Sequence, residues 1–230
     1  IEAVPVDTVS IRKAVNNYDA LFTEHGRVPQ LAEAMYRKAS LCVFYLNDLP
    51  AAEAELASIE ALPMANMKKA EAKLLRGDVL IMQGEYNSAM LKYTEVSNEF
   101  PNTQIGAKAK YRHARLSYFK GEFETSKAYL KILKENTSND IANDAIQLYL
   151  VIQDNTGLDS TTTALERFAD AQLLIYRKRY PEALELLDSI AFAFPNHELQ
   201  DDLIWEKAEI YLNQNHIDEG VKQMDLILEK

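Results

Sequence analysis

The chain of 230 residues contains one cysteine, seven glycines and seven prolines. The single cysteine, Cys42, excludes an internal disulfide and a metal site built from several thiolates. Such low glycine and proline contents disfavour a loop-rich, all-β or disordered chain. A membrane-spanning helix needs roughly 18 consecutive apolar residues, and no such run is present. We therefore expect a helical globular chain with no membrane insertion of this segment.

Signatures of catalysis are equally scarce. The four histidines are scattered, without a His-Glu-x-x-His pair or a cysteine at zinc-binding spacing. The glycines occur singly, so no phosphate-binding loop is formed. Cys42 lies in an apolar run and is expected to be a small buried side chain. We predict no metal, no cofactor and no enzymatic activity. An α-helical enzyme is the alternative that a deep pocket with two strongly shifted titrating groups would favour.

The formal net charge of −10 is unevenly distributed along the chain. Residues 139–230 carry 18 acidic and 7 basic side chains, whereas residues 108–134 carry eight basic residues and two acidic ones. This asymmetry predicts an electrical dipole, and the basic segment would steer an acidic partner. The alternative is an ordinary solvated surface. A sequence pI near 5.0 argues against a nucleic-acid partner.

The dominant feature is an internal repeat. Five segments share an apolar residue, a small residue three positions later, and apolar residues four and then three positions after that. They are Leu49-Ala52-Leu56-Ile59, Tyr86-Ala89-Tyr93-Val96, Phe123-Ser126-Leu130-Leu133, Tyr180-Ala183-Leu187-Ile190 and Ile217-Gly220-Met224-Ile227. The leading residues are separated by 37, 37, 57 and 37 positions. A fixed period of this length indicates stacked helix pairs.

Other residues recur in phase with this pattern. Nine positions before each leading residue stands a small side chain, which lets two helices approach closely: Ser40, Gly77, Ala114, Ala171 and Ala208. Gly84 and Gly121 stand two positions before their leading residues, where glycine ends a helix in a left-handed conformation. Pro63, Pro101 and Pro195 follow the second helices and start the next units.

The segment Arg76-Gly77-Asp78 … Gly84-Glu85-Tyr86-Asn87-Ser88-Ala89 … Tyr93 … Pro101 resembles a tetratricopeptide repeat. The long period, and apolar residues such as Ile59 and Val96 at the third small position, are similar to stretched repeats of bacterial envelope proteins. These include lipoproteins that assist outer-membrane protein assembly. The resemblance implies a right-handed α-solenoid of helix hairpins that binds proteins, and it favours the periplasm slightly over the cytoplasm.

We predict an all-α fold of twelve helices. Their expected bounds are 8–24, 31–46, 49–61, 66–83, 86–99, 104–120, 122–135, 140–153, 161–178, 180–193, 200–213 and 216–229. The 57-residue spacing implies one extra helix near 140–153. We divide the solenoid into residues 1–138 and 139–230, with a joint near 138–160 and Ser160 or a nearby threonine as an N-cap. Neither end shows a polar capping helix, which predicts self-association or a continuing chain.

The first helix of each pair is expected to line a concave wall that binds a peptide or protein partner, possibly an acidic one. Ten residues are predicted to line this wall: Arg37, Phe44, Tyr45, Lys108, Tyr111, Arg115, Tyr118, Phe119, Tyr176 and Trp205. Phe168, Gln172 and Glu209 belong to the same register. Aromatic rings with interspersed arginines suit peptide recognition. The alternatives are that half of these rings pack between helices, and that the chain is an assembly segment of a larger envelope protein.

Overall fold

The computed structural model describes residues 7–136, 139–156 and 162–228. In those ranges the chain forms twelve α-helices and no strand. They are α1 (Thr8–His25), α2 (Ala32–Leu41), α3 (Leu49–Ala61), α4 (Asn66–Gln83), α5 (Tyr86–Glu99), α6 (Gln104–Phe119), α7 (Phe123–Asn136), α8 (Asn139–Thr156), α9 (Thr163–Tyr176), α10 (Tyr180–Ala193), α11 (Gln200–Asn213) and α12 (Ile217–Leu228). The predicted all-α fold is confirmed, including the extra helix, which is α8.

The helix predicted over residues 31–46 differs in its details. A short 3-10 turn, Pro29–Leu31, precedes α2, and a π-helical turn, Cys42–Leu46, follows it. The wider turn buries Cys42 and Val43 and leaves Phe44 and Tyr45 exposed. Burial raises the pKa of the Cys42 thiol, as expected for an unreactive core residue.

The chain divides into two compact units, residues 2–110 and residues 111–230. The boundary lies within α6, between Lys110 and Tyr111, whereas the sequence analysis placed a joint near residues 138–160. Residues 137–138 and 157–161 of that predicted joint, including Ser160, lie outside the described residues.

Each unit consists of helices that pack against their neighbours in sequence. In the N-terminal unit α1 packs on α2, α2 on α3, α3 on α4 and α4 on α5. In the C-terminal unit the same order runs from α7 through to α12. Consecutive helices joined by short turns are the architecture of an all-α helical-repeat solenoid. Within the described residues, no helix has the length and apolar character needed to cross a bilayer.

The backbone repeats with the period that the sequence predicts. Five residues end a first helix at a positive φ angle: Asn47 (51°), Gly84 (89°), Gly121 (72°), Lys178 (57°) and Asn215 (62°). Each stands two positions before the leading residue of its repeat, so the spacings are again 37, 37, 57 and 37. The last four close the same pair of backbone hydrogen bonds around the helix end, for example Glu85 N–H to Leu80 C=O at 2.8 Å. Sequence analysis identified only the two glycines.

The repeat pattern also defines the core. The small residue and the two following apolar residues are fully buried in the first four repeats, as in Ala89, Tyr93 and Val96. In the fifth, Gly220 is buried, but Met224 and Ile227 are only partly covered. Gly77 shows why small residues are needed, because a Cβ there would lie 2.4 Å from Cε1 of Tyr93. Tyr93 is in turn fixed by a 2.7 Å hydrogen bond from its hydroxyl to Asp78.

A buried ionic cluster joins the first helices of the N-terminal unit. The carboxylate of Glu55 in α3 is almost fully buried and accepts hydrogen bonds from Arg27 Nε and Nη2, both at 3.0 Å. Lys38 in α2 donates to Glu55 at 2.9 Å and to Asp19 in α1 at 2.6 Å. Burial lowers the pKa of Lys38, but the hydrogen bonds to the two carboxylates outweigh it and the net shift is upward. Glu55 therefore compensates two cations at once.

We predict that Glu55→Gln lowers the free energy of unfolding by about 3 kcal/mol, because it removes the carboxylate of Arg27 and leaves buried Lys38 with only the half-exposed carboxylate of Asp19 as its described partner. Chemical denaturation followed by circular dichroism measures the change. Glu33→Gln is the matched control, since the described partner of Glu33 is the exposed Arg37 and loss of this surface pair should change little. Equal effects of the two variants would contradict this role for Glu55.

Candidate binding cleft in the C-terminal unit

The C-terminal unit contains a cleft of about 290 Å³ between four helices. Its walls come from α6, α8, α9 and α11, and each helix contributes residues from one face. The lining residues are Tyr111, Arg115, Tyr118, Phe119, Asp144, Gln147, Leu148, Val151, Gln172, Ile175, Tyr176 and Glu206. Apolar walls with a few polar groups are typical of sites that bind a side chain or a small ligand.

Arg115 lies between two tyrosine rings in the cleft. Its guanidinium carbon is 4.6 Å from the centre of the Tyr176 ring and 5.8 Å from that of Tyr111. Tyr176 also packs against Phe119, with ring centres 5.9 Å apart. Cation–π contact holds the guanidinium plane against the wall. The rings and the arginine thus form one ordered surface that links α6 to α9.

Tyr118 is the most unusual residue of the lining. Its side chain is fully buried and packs against Phe119 and Phe123, each with ring centres 5.8 Å away. Its hydroxyl is buried and has no hydrogen-bond partner among the described residues. Burial, reinforced by the nearby carboxylates of Glu206 and Asp202, raises the pKa of Tyr118 well above its ordinary value. A buried hydroxyl without a partner is costly and indicates a group that a ligand can satisfy.

Glu206 lies on the α11 side of the cleft. Its carboxylate accepts a 2.6 Å hydrogen bond from Nε2 of Gln172 in α9. Burial raises the pKa of Glu206, and the carboxylates of Asp202 and Glu209 raise it further, against the opposing effect of the Gln172 hydrogen bond. Burial and Asp201 also raise the pKa of Asp202. Residues 202, 206 and 209 follow helical spacing, so α11 presents a stripe of acidic groups.

The structure brings five of the ten predicted site residues together in this cleft. They are Tyr111, Arg115, Tyr118, Phe119 and Tyr176. Tyr118 and Phe119 are also interhelix packing residues, which was the alternative for these rings. Gln172, from the same predicted register, lies in the cleft as well. Trp205 belongs to the same unit but is half exposed and does not line the cleft.

The other four predicted residues are in the N-terminal unit. Phe44 and Tyr45 are exposed on the π-helical turn. Arg37 is exposed and pairs with Glu33 at 2.9 Å, and Lys108 is exposed on α6. These four residues are not part of the cleft.

Sequence reasoning missed one complete wall and one charged residue. Asp144, Gln147, Leu148 and Val151 come from α8, which is outside the repeat and was considered only as a spacer. Their spacing of three, one and three positions identifies a single helical face. Glu206 was missed because the predicted register selected its neighbour Trp205. The acidic residues at helical spacing on α11 are the sequence feature that could have identified Glu206 as a site residue.

The cleft offers two carboxylates, one guanidinium, two amides and three phenols. The described residues contain no group of three or more His, Cys, Asp or Glu side chains arranged to hold a metal ion. No protein-family model matches the chain, and no curated protein is significantly similar to it. The repeat and the cleft themselves therefore carry the functional argument.

We predict that Tyr118→Phe raises the free energy of unfolding by about 1 kcal/mol, because it removes a buried hydroxyl that lacks a partner. Thermal and chemical denaturation measure this shift. Tyr93→Phe is the matched control: that hydroxyl donates to buried Asp78, and its loss should destabilise by about 1–2 kcal/mol. Destabilisation by both variants would show that Tyr118 has a partner after all.

Proposed function

We propose that this chain is a non-catalytic scaffold of tetratricopeptide-like hairpins that binds a peptide segment of a protein partner. The C-terminal cleft is the binding site in this proposal. The observation that carries it is the cleft itself, whose lining includes four aromatic residues, an arginine packed on two of their rings, and a buried tyrosine hydroxyl with no hydrogen-bond partner among the described residues. Rigid aromatic side chains offer large contact areas at a low entropic cost.

The size of the cleft supports recognition of one or two side chains of an extended segment. A volume near 290 Å³ lies at the lower end of the range for small-molecule pockets. Leu148, Val151 and Ile175 line the cleft and would supply apolar contact, while the polar side chains of Arg115 and Gln147 would bind backbone groups of the peptide. Such an arrangement selects a short motif and leaves the flanking sequence free.

The enzymatic alternative finds little support in the same cleft. That alternative requires two strongly shifted titrating groups. Tyr118 and Glu206 both have raised pKa values, but only the shift of Tyr118 is large. The twelve described lining residues, however, include no histidine, cysteine, serine or lysine. A serine, cysteine or lysine nucleophile and a histidine base are therefore missing from this described lining.

We predict that Tyr176→Ala weakens peptide binding at least about tenfold, because one anchor ring and the support of Arg115 are lost together. Binding peptides would first be selected from a random heptapeptide library, acetylated and amidated at its ends, against the purified chain. Fluorescence anisotropy then measures their affinities for each variant. Circular dichroism verifies that helicity is retained.

Tyr211→Ala is the matched control. Tyr211 is half-buried in the same unit, where it stacks on His216 with ring centres 6.5 Å apart, and it lies outside the cleft. Its loss should leave peptide affinity unchanged. Equal weakening by both substitutions, or an unchanged affinity of the Tyr176 variant, would remove the cleft from the binding site.

A second candidate function is assembly through the face of α12. Ile217, Val221 and Leu228 are exposed and share one side of this helix with the partly exposed Met224. Helical spacing of four, three and four residues makes them a continuous apolar stripe. Exposed stripes of this kind mark contact surfaces. In this proposal the chain is a structural segment of a larger bacterial envelope protein.

We predict that this stripe drives concentration-dependent self-association and that Val221→Glu abolishes it. Sedimentation velocity over a wide concentration range measures the association. Lys222→Glu is the control, since residue 222 is exposed on another side of α12. A wild-type chain that stays monomeric at every concentration would refute association through the α12 stripe.

A further inference from the structure

Among the described residues, the carboxylate of Glu206 is bound by the amide of Gln172 and not by a cation. The influences on the pKa of Glu206 are burial, the neutral amide of Gln172, and the carboxylates of Asp202 and Glu209. Within the described part of the chain, no lysine or arginine is among them. A partly buried carboxylate surrounded by like charge is unfavourable until a cation reaches it.

Tyr118 provides a second and independent sign of a missing ligand. Its hydroxyl is buried, has no described hydrogen-bond partner, and is close enough to Glu206 and Asp202 for their charges to affect it. A phenol oxygen can accept a hydrogen bond from an ammonium or guanidinium group, and a carboxylate can accept another. A cation that binds Glu206 and also donates to the Tyr118 hydroxyl would satisfy both groups.

Arg115 is the one cation among the described residues that line the cleft. Its guanidinium lies over the Tyr111 and Tyr176 rings, and its charge contributes to the pKa of Tyr111. The sequence-based expectation of an acidic partner rested on Arg37, Lys108 and Arg115. Of these three residues only Arg115 lines the cleft.

We propose that the cleft recognises a basic side chain, a lysine or arginine of the partner, whose cationic group binds between Glu206, Gln172 and Tyr118. This inference rests on the proposed peptide-binding function. The apolar stem of the inserted side chain would pack against the rings of the cleft, as long cationic side chains commonly do. The acidic excess of residues 139–230 adds long-range attraction for such a segment.

The test uses four heptapeptide sublibraries with lysine, arginine, glutamine or glutamate fixed at the centre and all other positions random. The wild-type chain should bind the lysine and arginine sublibraries at least tenfold more tightly than the glutamine one, and the glutamate one most weakly. In Glu206→Gln this preference should vanish, so that lysine- and arginine-centred peptides bind no more tightly than glutamine-centred ones. Tyr118→Phe should reduce the preference several-fold.

Glu185→Gln is the matched control, because it makes the same charge change at an exposed position of α10 outside the cleft. It should keep the full preference for basic peptides. Loss of preference in both variants would mean that net charge alone attracts these peptides, which overturns specific recognition by Glu206. Loss of all peptide binding in Glu206→Gln would likewise assign Glu206 a structural role and overturn the proposal.

Failure of this inference is distinguishable from failure of the proposed function. Peptides that bind in a Tyr176-dependent way without preferring lysine or arginine would overturn recognition of a cation and leave the scaffold function intact. If no sublibrary binds the wild-type chain, both proposals are overturned.

Discussion

The fold depends on close contact between the two helices of each hairpin. A left-handed residue ends the first helix, and small residues on both helices let their backbones approach. Gly77 shows how little space remains, since even one methyl group would overlap the Tyr93 ring. Because no hairpin can bury its apolar face alone, hairpins stack on their neighbours within each unit, and the 37-residue period of the sequence becomes the period of the core.

The cleft exists where this regularity is broken. α8 is the extra helix behind the 57-residue spacing, and it contributes a wall that no repeat unit would supply. Regular stacking fills the space between helices with apolar side chains, whereas here Asp144 and Gln147 face a concavity. Binding sites commonly lie where a regular architecture is interrupted, because polar side chains at the interruption do not take part in core packing and can contact a ligand.

The sequence predicted the fold far better than the site. Helix bounds such as 49–61, 86–99 and 180–193 agree with the structure because apolar periodicity, caps and small residues all specify them locally. The left-handed helix ends at Lys178 and Asn215 were not predicted, because only glycine was taken to indicate a left-handed residue at the end of a helix. Glu206 was not predicted as a site residue, because it joins the cleft through its position near residues of α6 and α9. Contacts between segments that are distant in sequence produce no periodic pattern in a single sequence.

Charge placement links the fold to its proposed use. In the N-terminal unit, buried Glu55 forms ion pairs with Arg27 and Lys38, so its charge is compensated within the fold. In the cleft, Glu206 has an amide as its hydrogen-bond partner and carboxylates as neighbours. A buried carboxylate with a structural role is paired with a cation of the same fold, because a buried carboxylate without such a partner destabilises the folded state. The contrast between Glu55 and Glu206 therefore supports the proposal that Glu206 binds a cation of another molecule.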